Sequence, residues 1–208
     1  REARAAELTA RFDEEGRRIS TLAQQLSRER IVAAKRMTTL VEAELATLKM
    51  EQAIFQVSVS SGELTEELGP AGWNRVEFLL SSNPGESPRA LSRVASGGEL
   101  SRIMLALKTV LAEMDQVPVL VFDEIDTGVG GAVAAAMGTR LRKLGTYHQV
   151  FCITHLPQVA SQAEHHLLVE KGVEGQRTST SVRLLKGIGR EEEIARMLGG
   201  LTVTKKVR

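Results

Sequence analysis

The sequence predicts an α/β domain carrying a long N-terminal coiled-coil helix, and three observations predict it. Residues 1 to about 50 hold no Pro and a single Gly, Gly16, among many Ala, Glu, Arg, Leu and Gln. Beyond Met50, short apolar strands alternate with stretches of helical spacing, the pattern of a mixed sheet layered with helices. One strand, Val119-Leu120-Val121-Phe122, is apolar throughout and runs straight into Asp123-Glu124.

The first segment favours helix over a length far beyond an average globular helix. Phe12, Ile19, Leu26, Ala33 and Leu40 recur every seven residues, with a second line of Leu8 and Leu22 broken by Glu15 and Glu29. A heptad line with charged flanks fits one strand of a coiled coil, which needs a partner helix; an amphipathic helix lying on its own domain is the alternative. Two strands follow, around Phe55–Val59 and Val76–Leu80, with Gly62, Gly69-Pro70 and Gly72 marking a hairpin or longer connection between them. Leu100, Ile103, Met104, Leu107, Val110 and Leu111 space out a helix to about Glu113. The Val119–Phe122 run reads as a strand buried on both faces. A helix from about Ala132 to Leu144 leads to a second buried strand, Val150–Ile153. Leu167–Val169 and Val182–Leu185 flank a polar, Gly-containing loop as a closing hairpin, and Glu191–Leu198 makes a short helix.

Composition excludes more than it selects. Lys plus Arg (27) nearly balances Asp plus Glu (26), so bulk charge points to no nucleic acid or acidic partner. No apolar run reaches the ~20 residues of a membrane-spanning helix and no secretory signal opens the chain, which leads us to expect a soluble protein. Cys152 is the single cysteine; it rules out an internal disulfide, suits a reducing cytoplasm, and reads as core packing. The start at Arg1, inside a helix already under way, reads as a fragment. Arg140, Arg142 and Lys143, and Lys205, Lys206 and Arg208, are basic clusters whose default reading is a solvated face.

Chemistry concentrates at two places. Carboxylates at the C-terminal end of a buried strand sit where α/β sheets bind ligands. Asp123 suits a hard cation such as Mg²⁺, and Glu124 suits polarising a water for attack on a phosphoryl group; a turn-capping pair is the bland alternative. Ahead of them, Ser96-Gly97-Gly98-Glu99 opens the amphipathic helix. Free N–H groups at a helix start form an anion site, while a plain capping loop using Ser96 or Ser101 is the alternative. Nowhere does Gly-x-x-x-x-Gly-Lys-[Ser/Thr] occur, so no lysine loop cradles the β-phosphate. His148 has no functional support, and His165-His166 read as surface or strand-edge residues.

Ser96-Gly97-Gly98-Glu99 resembles the signature motif of ABC ATPases, and Val119–Glu124 resembles their Walker B strand. Asp126, within Ile125-Asp126-Thr127-Gly128, matches the D-loop, and His155, after Thr154, the switch histidine. The wording of Ala95–Arg102, Phe122–Gly128 and Thr154–Ala160, with Asn83-Pro84-Gly85-Glu86 and Glu193–Gly200, resembles the RecN family of bacterial DNA repair proteins, SMC-like ATPases, from about Leu45 to Leu201. The resemblance implies the C-terminal lobe of a P-loop ABC-type ATPase head, with residues 1–50 as the returning coiled-coil arm and 51–208 as the lobe. It implies ATP and Mg²⁺ as ligands, Asp123 as metal holder, and Glu124 and His155 as catalytic residues. Ser96, Gly97, Gly98, Glu99 and Asp126 would bind nucleotide at a head-to-head interface, the D-loop lying across it. The implied partners are an N-terminal Walker A lobe of the same protein, a second copy bridged by ATP, and DNA at double-strand breaks, in a nucleoid-associated cytoplasmic setting without membrane. The lobe by itself is expected to be inactive. An ABC transporter subunit, an SMC-like or RecF-like ATPase, and a non-enzymatic coiled-coil tether with an inert head are the rival readings.

Overall fold

The computed structural model describes residues 2–61, 69–93, 97–174 and 177–199. Ser96 of the expected phosphate loop, Gly62, Gly200 and the terminal Lys205, Lys206 and Arg208 lie outside the described residues. The fold is α/β with a long N-terminal helix, and the chain divides into two compact units: Arg1–Ala43 with Gln52–Val94, and Glu44–Glu51 with Ala95–Arg208. Among the described residues no helix is long and apolar enough to cross a membrane.

Helix α1 spans Glu2–Thr47. Its part in the first unit accompanies a small antiparallel sheet: β1 (Ile54–Ser61) pairs with β2 (Asn74–Ser81), which pairs with β3 (Arg89–Ala90). Alternation sends Phe55 and its cross-strand partner Leu80 into the core, and the Phe55 and Phe78 rings lie 5.8 Å apart. The helix is pinned to this sheet by polar contacts. Asn74 donates from Nδ2 to Ser27 Oγ (3.0 Å), and the Phe55 N–H donates to the Glu42 carboxylate (3.1 Å).

The face of α1 buried in this unit is Ala23, Ser27, Ala34 and Val41, whereas Phe12 (79% exposed), Ile19, Ala33 and Leu40 of the heptad line face solvent. The helix thus lies on its own sheet, the second of the alternatives read from the sequence, while most of the heptad line stays uncovered. Small residues allow close approach to the sheet; the larger heptad residues are left over.

In the second unit, α2 (Gly97–Leu111), β4 (Val119–Phe122), α3 (Gly131–Leu144) and β5 (Gln149–Cys152) form a β-α-β element with β4 and β5 parallel. The one-turn α4 (Pro157–Ala160), the hairpin β6 (His166–Glu174) and β7 (Arg177–Leu185), and α5 (Gly187–Gly199) complete it. Ile103, Leu105, Ala106 and Leu107 of α2 form the core with Ala134, Met137, Leu141 and Leu144 of α3 and with Leu120, Phe122 and Ile125.

Two expectations about the strands need correction. The described strands form three separate sheets rather than one. Nor are β4 and β5 buried on both faces: Leu120 and Phe122 point inward, but Val121 is 66% and Ile153 60% exposed, with Val119 and Phe151 beside them. An unbroken apolar run carries no sign of which face its own chain covers, and this unit covers only one.

Candidate active site

Asp123 leaves the end of β4, and the backbone then turns sharply. Glu124 takes φ +55°, in the left-handed region that a β-carbon disfavours. The turn is closed by the Thr127 N–H donating to the Glu124 carbonyl (3.2 Å) and the Val129 N–H to the Asp126 carbonyl (3.3 Å). Both Asp123 and Glu124 are exposed, and among the described residues neither sits in an ion pair. The Glu124 N–H donates to Asp123 Oδ1 (2.9 Å).

The start of α2 lies directly against this turn. A β-carbon on Gly98 would stand 3.1 Å from the Glu124 carbonyl oxygen and 3.2 Å from Thr127 Cβ; one on Gly97 would stand 2.7 Å from Glu124 Oε2. At Gly98 glycine is required by close approach to backbone rather than by backbone angles, whereas at Gly97 the near atom is the movable end of the Glu124 side chain. One turn on, Ser101 Oγ donates to the Asp123 carbonyl (2.8 Å) and Arg102 Nη1 to the Thr127 carbonyl (3.1 Å). Burial pulls the Arg102 guanidinium below its ordinary pKa, opposed by the charge of Glu99, which is half-buried in the first turn of α2.

Strand β5 brings the third part alongside. The Ile153 N–H donates to the Phe122 carbonyl (2.9 Å), carrying the parallel pairing one step past β5 and placing Thr154 and His155 beside the turn. Asp126 is only 4% exposed. Its Oδ2 accepts from Thr154 Oγ1 (2.6 Å) and the His155 N–H (2.9 Å), and lies 3.1 Å from His155 Nδ1. The His155 side chain is otherwise open to solvent, 74% exposed.

The structure thus brings Gly97, Gly98, Asp123, Glu124, Asp126 and His155 into one connected patch at the C-terminal ends of two parallel strands, the position where α/β sheets place ligands. Three placements differ from the sequence reading. Gly97 and Gly98 were expected as an open anion cradle, but on one side they abut Glu124 of their own chain. For Asp126 the sequence reading gave only a D-loop at the interface between heads; within the chain its carboxylate turns inward onto the histidine loop, accepting from the Thr154 hydroxyl and the His155 N–H. Ser101 does not cap the helix that starts at Gly97 but bonds across to Asp123.

Sequence reasoning assigned no role to Arg102, Thr127 or Thr154. Their hydroxyls and guanidinium flank the motifs, but the partners lie 25 and 28 residues away along the chain, a separation no local pattern displays. His148 is buried with Nδ1 2.7 Å from the Val117 carbonyl, a structural placement. Arg140 pairs with Glu44, which withdraws it from any basic patch. Cys152 is half-buried rather than full core; burial pushes its thiol up to about 12, with the charges of Asp126 and Asp123 adding to the effect.

No cluster of three or more His, Cys, Asp or Glu suited to hold a metal occurs among the described residues. A Mg²⁺ ion takes one or two carboxylates and completes its shell with water and substrate phosphates. Asp123, exposed and with only Oδ1 engaged by Glu124, suits that single-carboxylate role.

No family model matches the chain. The DNA repair protein RecN of Rickettsia bellii is 44% identical over 184 residues, 88% of this chain and 33% of that protein. RecN of Treponema pallidum is 45% identical over 180 residues, 85% of this chain and 31% of that protein. Among solved structures, the Smc head domain with a coiled coil and joint derived from Pyrococcus yayanosii aligns with TM-score 0.51 and 15% identity, covering 80% of this chain and 29% of that one. That likeness is one of fold, and it pairs a mixed helix–strand head with a long helix. The chain spans about a third of the length of the curated relatives it matches. Over most of its own length it is a homologue of the RecN DNA repair proteins, with the fold of an SMC head fragment.

Proposed function

We propose that the chain is the returning arm (residues 1–50) and C-terminal lobe (residues 51–208) of an SMC-like ABC ATPase head that hydrolyses ATP in a head-to-head dimer during DNA double-strand-break repair and recombination. The observation that carries the reading is the single hydrogen-bonded patch joining the α2 start, the Asp123–Thr127 turn and the His155 loop. The names of the relatives, DNA repair proteins at about 44% identity, supply the biological setting. The uncovered apolar face of β4 and β5 supports a missing neighbour, which in this reading is the N-terminal Walker A lobe of the same protein.

In the assembled head Asp123 holds Mg²⁺, which supplies neutralisation of phosphate charge when bound. Glu124 takes a proton from the attacking water, and His155 lies beside it to hydrogen-bond the reacting group. Ser96, Gly97, Gly98 and Glu99 of one head meet the nucleotide held by the other, so ATP favours the closed dimer and hydrolysis releases it. DNA is the load, and the setting is the cytoplasmic nucleoid. Lacking a phosphate-gripping lysine loop, the lobe alone does not turn over ATP.

Replacing Glu124 by Gln in the complete protein tests this. ATP-dependent dimerisation, read by light scattering, is expected to persist while hydrolysis falls roughly 10²–10⁴-fold. Hydrolysis at the normal rate would remove Glu124 from the role of base, and a head that stays monomeric with ATP would remove the dimer.

A further inference from the structure

Glu124 is held through its backbone. Its side chain is exposed and enters no ion pair among the described residues, so the turn decides where the carboxylate stands. That turn is a weak frame by itself. Its φ of +55° is disfavoured for any residue with a β-carbon. The Thr127 N–H closes onto the Glu124 carbonyl at 3.2 Å, longer than the usual ~2.9–3.0 Å. Two grips come from outside it. Ser101 Oγ donates to the Asp123 carbonyl at 2.8 Å, just before Glu124, and Arg102 Nη1 to the Thr127 carbonyl at 3.1 Å, after it. Both come from one face of α2, since Gly98, Ser101 and Arg102 stand at i, i+3 and i+4. Gly98 leaves that face room to lie against the Glu124 carbonyl, 3.1 Å from where a β-carbon would stand. The helix behind it is anchored by the buried Ile103, Leu105, Ala106 and Leu107. The Arg102 contact is kept at a cost, because its Nε is buried with no acceptor among the described residues.

We propose that Ser101 and Arg102 are positioning residues for Glu124: together they hold the carbonyls on either side of it and so fix where its carboxylate stands. The proposal rests on Glu124 acting as the base and deepens that reading. Neither residue touches the attacking water; each acts through the backbone of the Glu124 turn. Misplacing a reacting group by about 1 Å costs on the order of 10²-fold in rate, so loosening either grip lowers turnover more than it lowers affinity for ATP. The same two contacts tie the base to α2, whose first residues meet the nucleotide of the second head in that reading.

The test is steady-state and single-turnover hydrolysis by the complete protein carrying Ser101→Ala or Arg102→Met, the latter keeping most of the aliphatic stem. Each is expected to lower kcat about 10–100-fold, with KM for ATP within about twofold, while ATP-dependent dimerisation, read by light scattering, persists. In the Glu124→Gln background the same substitutions should lower the residual single-turnover rate by less than about twofold, since residues acting as one unit are not additive. Losses that multiply in full with Glu124→Gln overturn the proposal, as does an effect confined to KM or a loss of dimerisation in both variants. Hydrogen exchange of the complete protein, read by mass spectrometry, checks the clamp apart from catalysis. Ser101→Ala should speed exchange of the Thr127 and Val129 amides about fivefold, as loss of one ordinary hydrogen bond allows. The amides of residues 150–153, on the β4–β5 ladder, should keep their wild-type rates. Unchanged exchange in the turn, or equal acceleration in both segments, overturns the proposal. A wild-type complete protein that does not hydrolyse ATP sinks the ATPase reading, and the exchange result alone then decides whether α2 clamps the turn.

Discussion

Glu124 carries the chemistry proposed for this head and also a costly backbone. Its φ is +55°, and among described non-glycine residues only Lys49, just past the end of α1, also has a positive φ; a β-carbon there costs roughly 1–2 kcal/mol. Replacing Glu124 by Gly should therefore raise the urea midpoint, by the equivalent of about 0.5–1 kcal/mol, while removing hydrolysis in the complete protein. The neighbouring glycines separate in the same assay. A β-carbon on Gly98 meets a carbonyl and a branched side chain at 3.1–3.2 Å, so Gly98→Ala should lose about 1–3 kcal/mol in urea unfolding. The β-carbon of Gly97→Ala meets only the movable end of Glu124, so stability should change by less than about 0.5 kcal/mol. At this scale the sequence was informative about identity and silent about conformation. Asp123-Glu124 at a strand end and Ser-Gly-Gly before a helix stood out as ligand-facing pairs. That the glycines serve Glu124, and that Asp126 looks inward, depends on contacts between segments more than 20 residues apart.

Elements were legible wherever periodicity was strong. The long α1, the spacing of α2, the two strand–turn–strand units and α5 all follow from apolar repeats and turn residues, with boundaries shifted by a few residues. What the pattern hid was facing: Val-Leu-Val-Phe is apolar at every position, so alternation could not tell the covered side from the open one. The turn after α2 provides an element-scale prediction. Lys108 of α2 hydrogen-bonds Asp115, whose other oxygen accepts the Val117 N–H at 3.1 Å, and these contacts hold the Asp115 carboxyl below its ordinary range. The native state thus binds fewer protons than the unfolded chain. The resulting stability is fully present above the unfolded value of about 3.9 and is lost as pH falls through the lower folded value. Asp115→Asn should be less stable than wild type at neutral pH and should lose less on going to pH ~3, as followed by thermal unfolding across pH. Glu193, held down chiefly by Arg196, contributes to the wild-type acid loss with the same sign.

For the molecule as a whole, the informative feature is apolar surface left uncovered. Val119, Val121, Phe151 and Ile153 line one face of the β4–β5 pair, and Leu167, Val169, Val182 and Leu184 are exposed along one face of the β6–β7 hairpin. Monomeric proteins rarely leave such contiguous faces open. If the N-terminal lobe covers β4 and β5, Val121→Lys should leave the unfolding midpoint of this chain nearly unchanged, because Val121 is already exposed. It should nonetheless weaken capture of a separately produced Walker A lobe by about tenfold or more, measured by titration calorimetry. Equal affinity for wild type and variant would place that lobe elsewhere.

The pairing of β4 with β5 is four rungs long, from Val119 opposite Gln149 to Phe122 opposite Cys152. Everything beyond those rungs is aligned by them. A slip by one residue would carry His155 about 3.3 Å along the strand and turn successive side chains to opposite faces, parting the imidazole from the carboxylate beneath it. This short ladder therefore works as a vernier for the patch above it: the register of four rungs sets where His155 stands against Asp126.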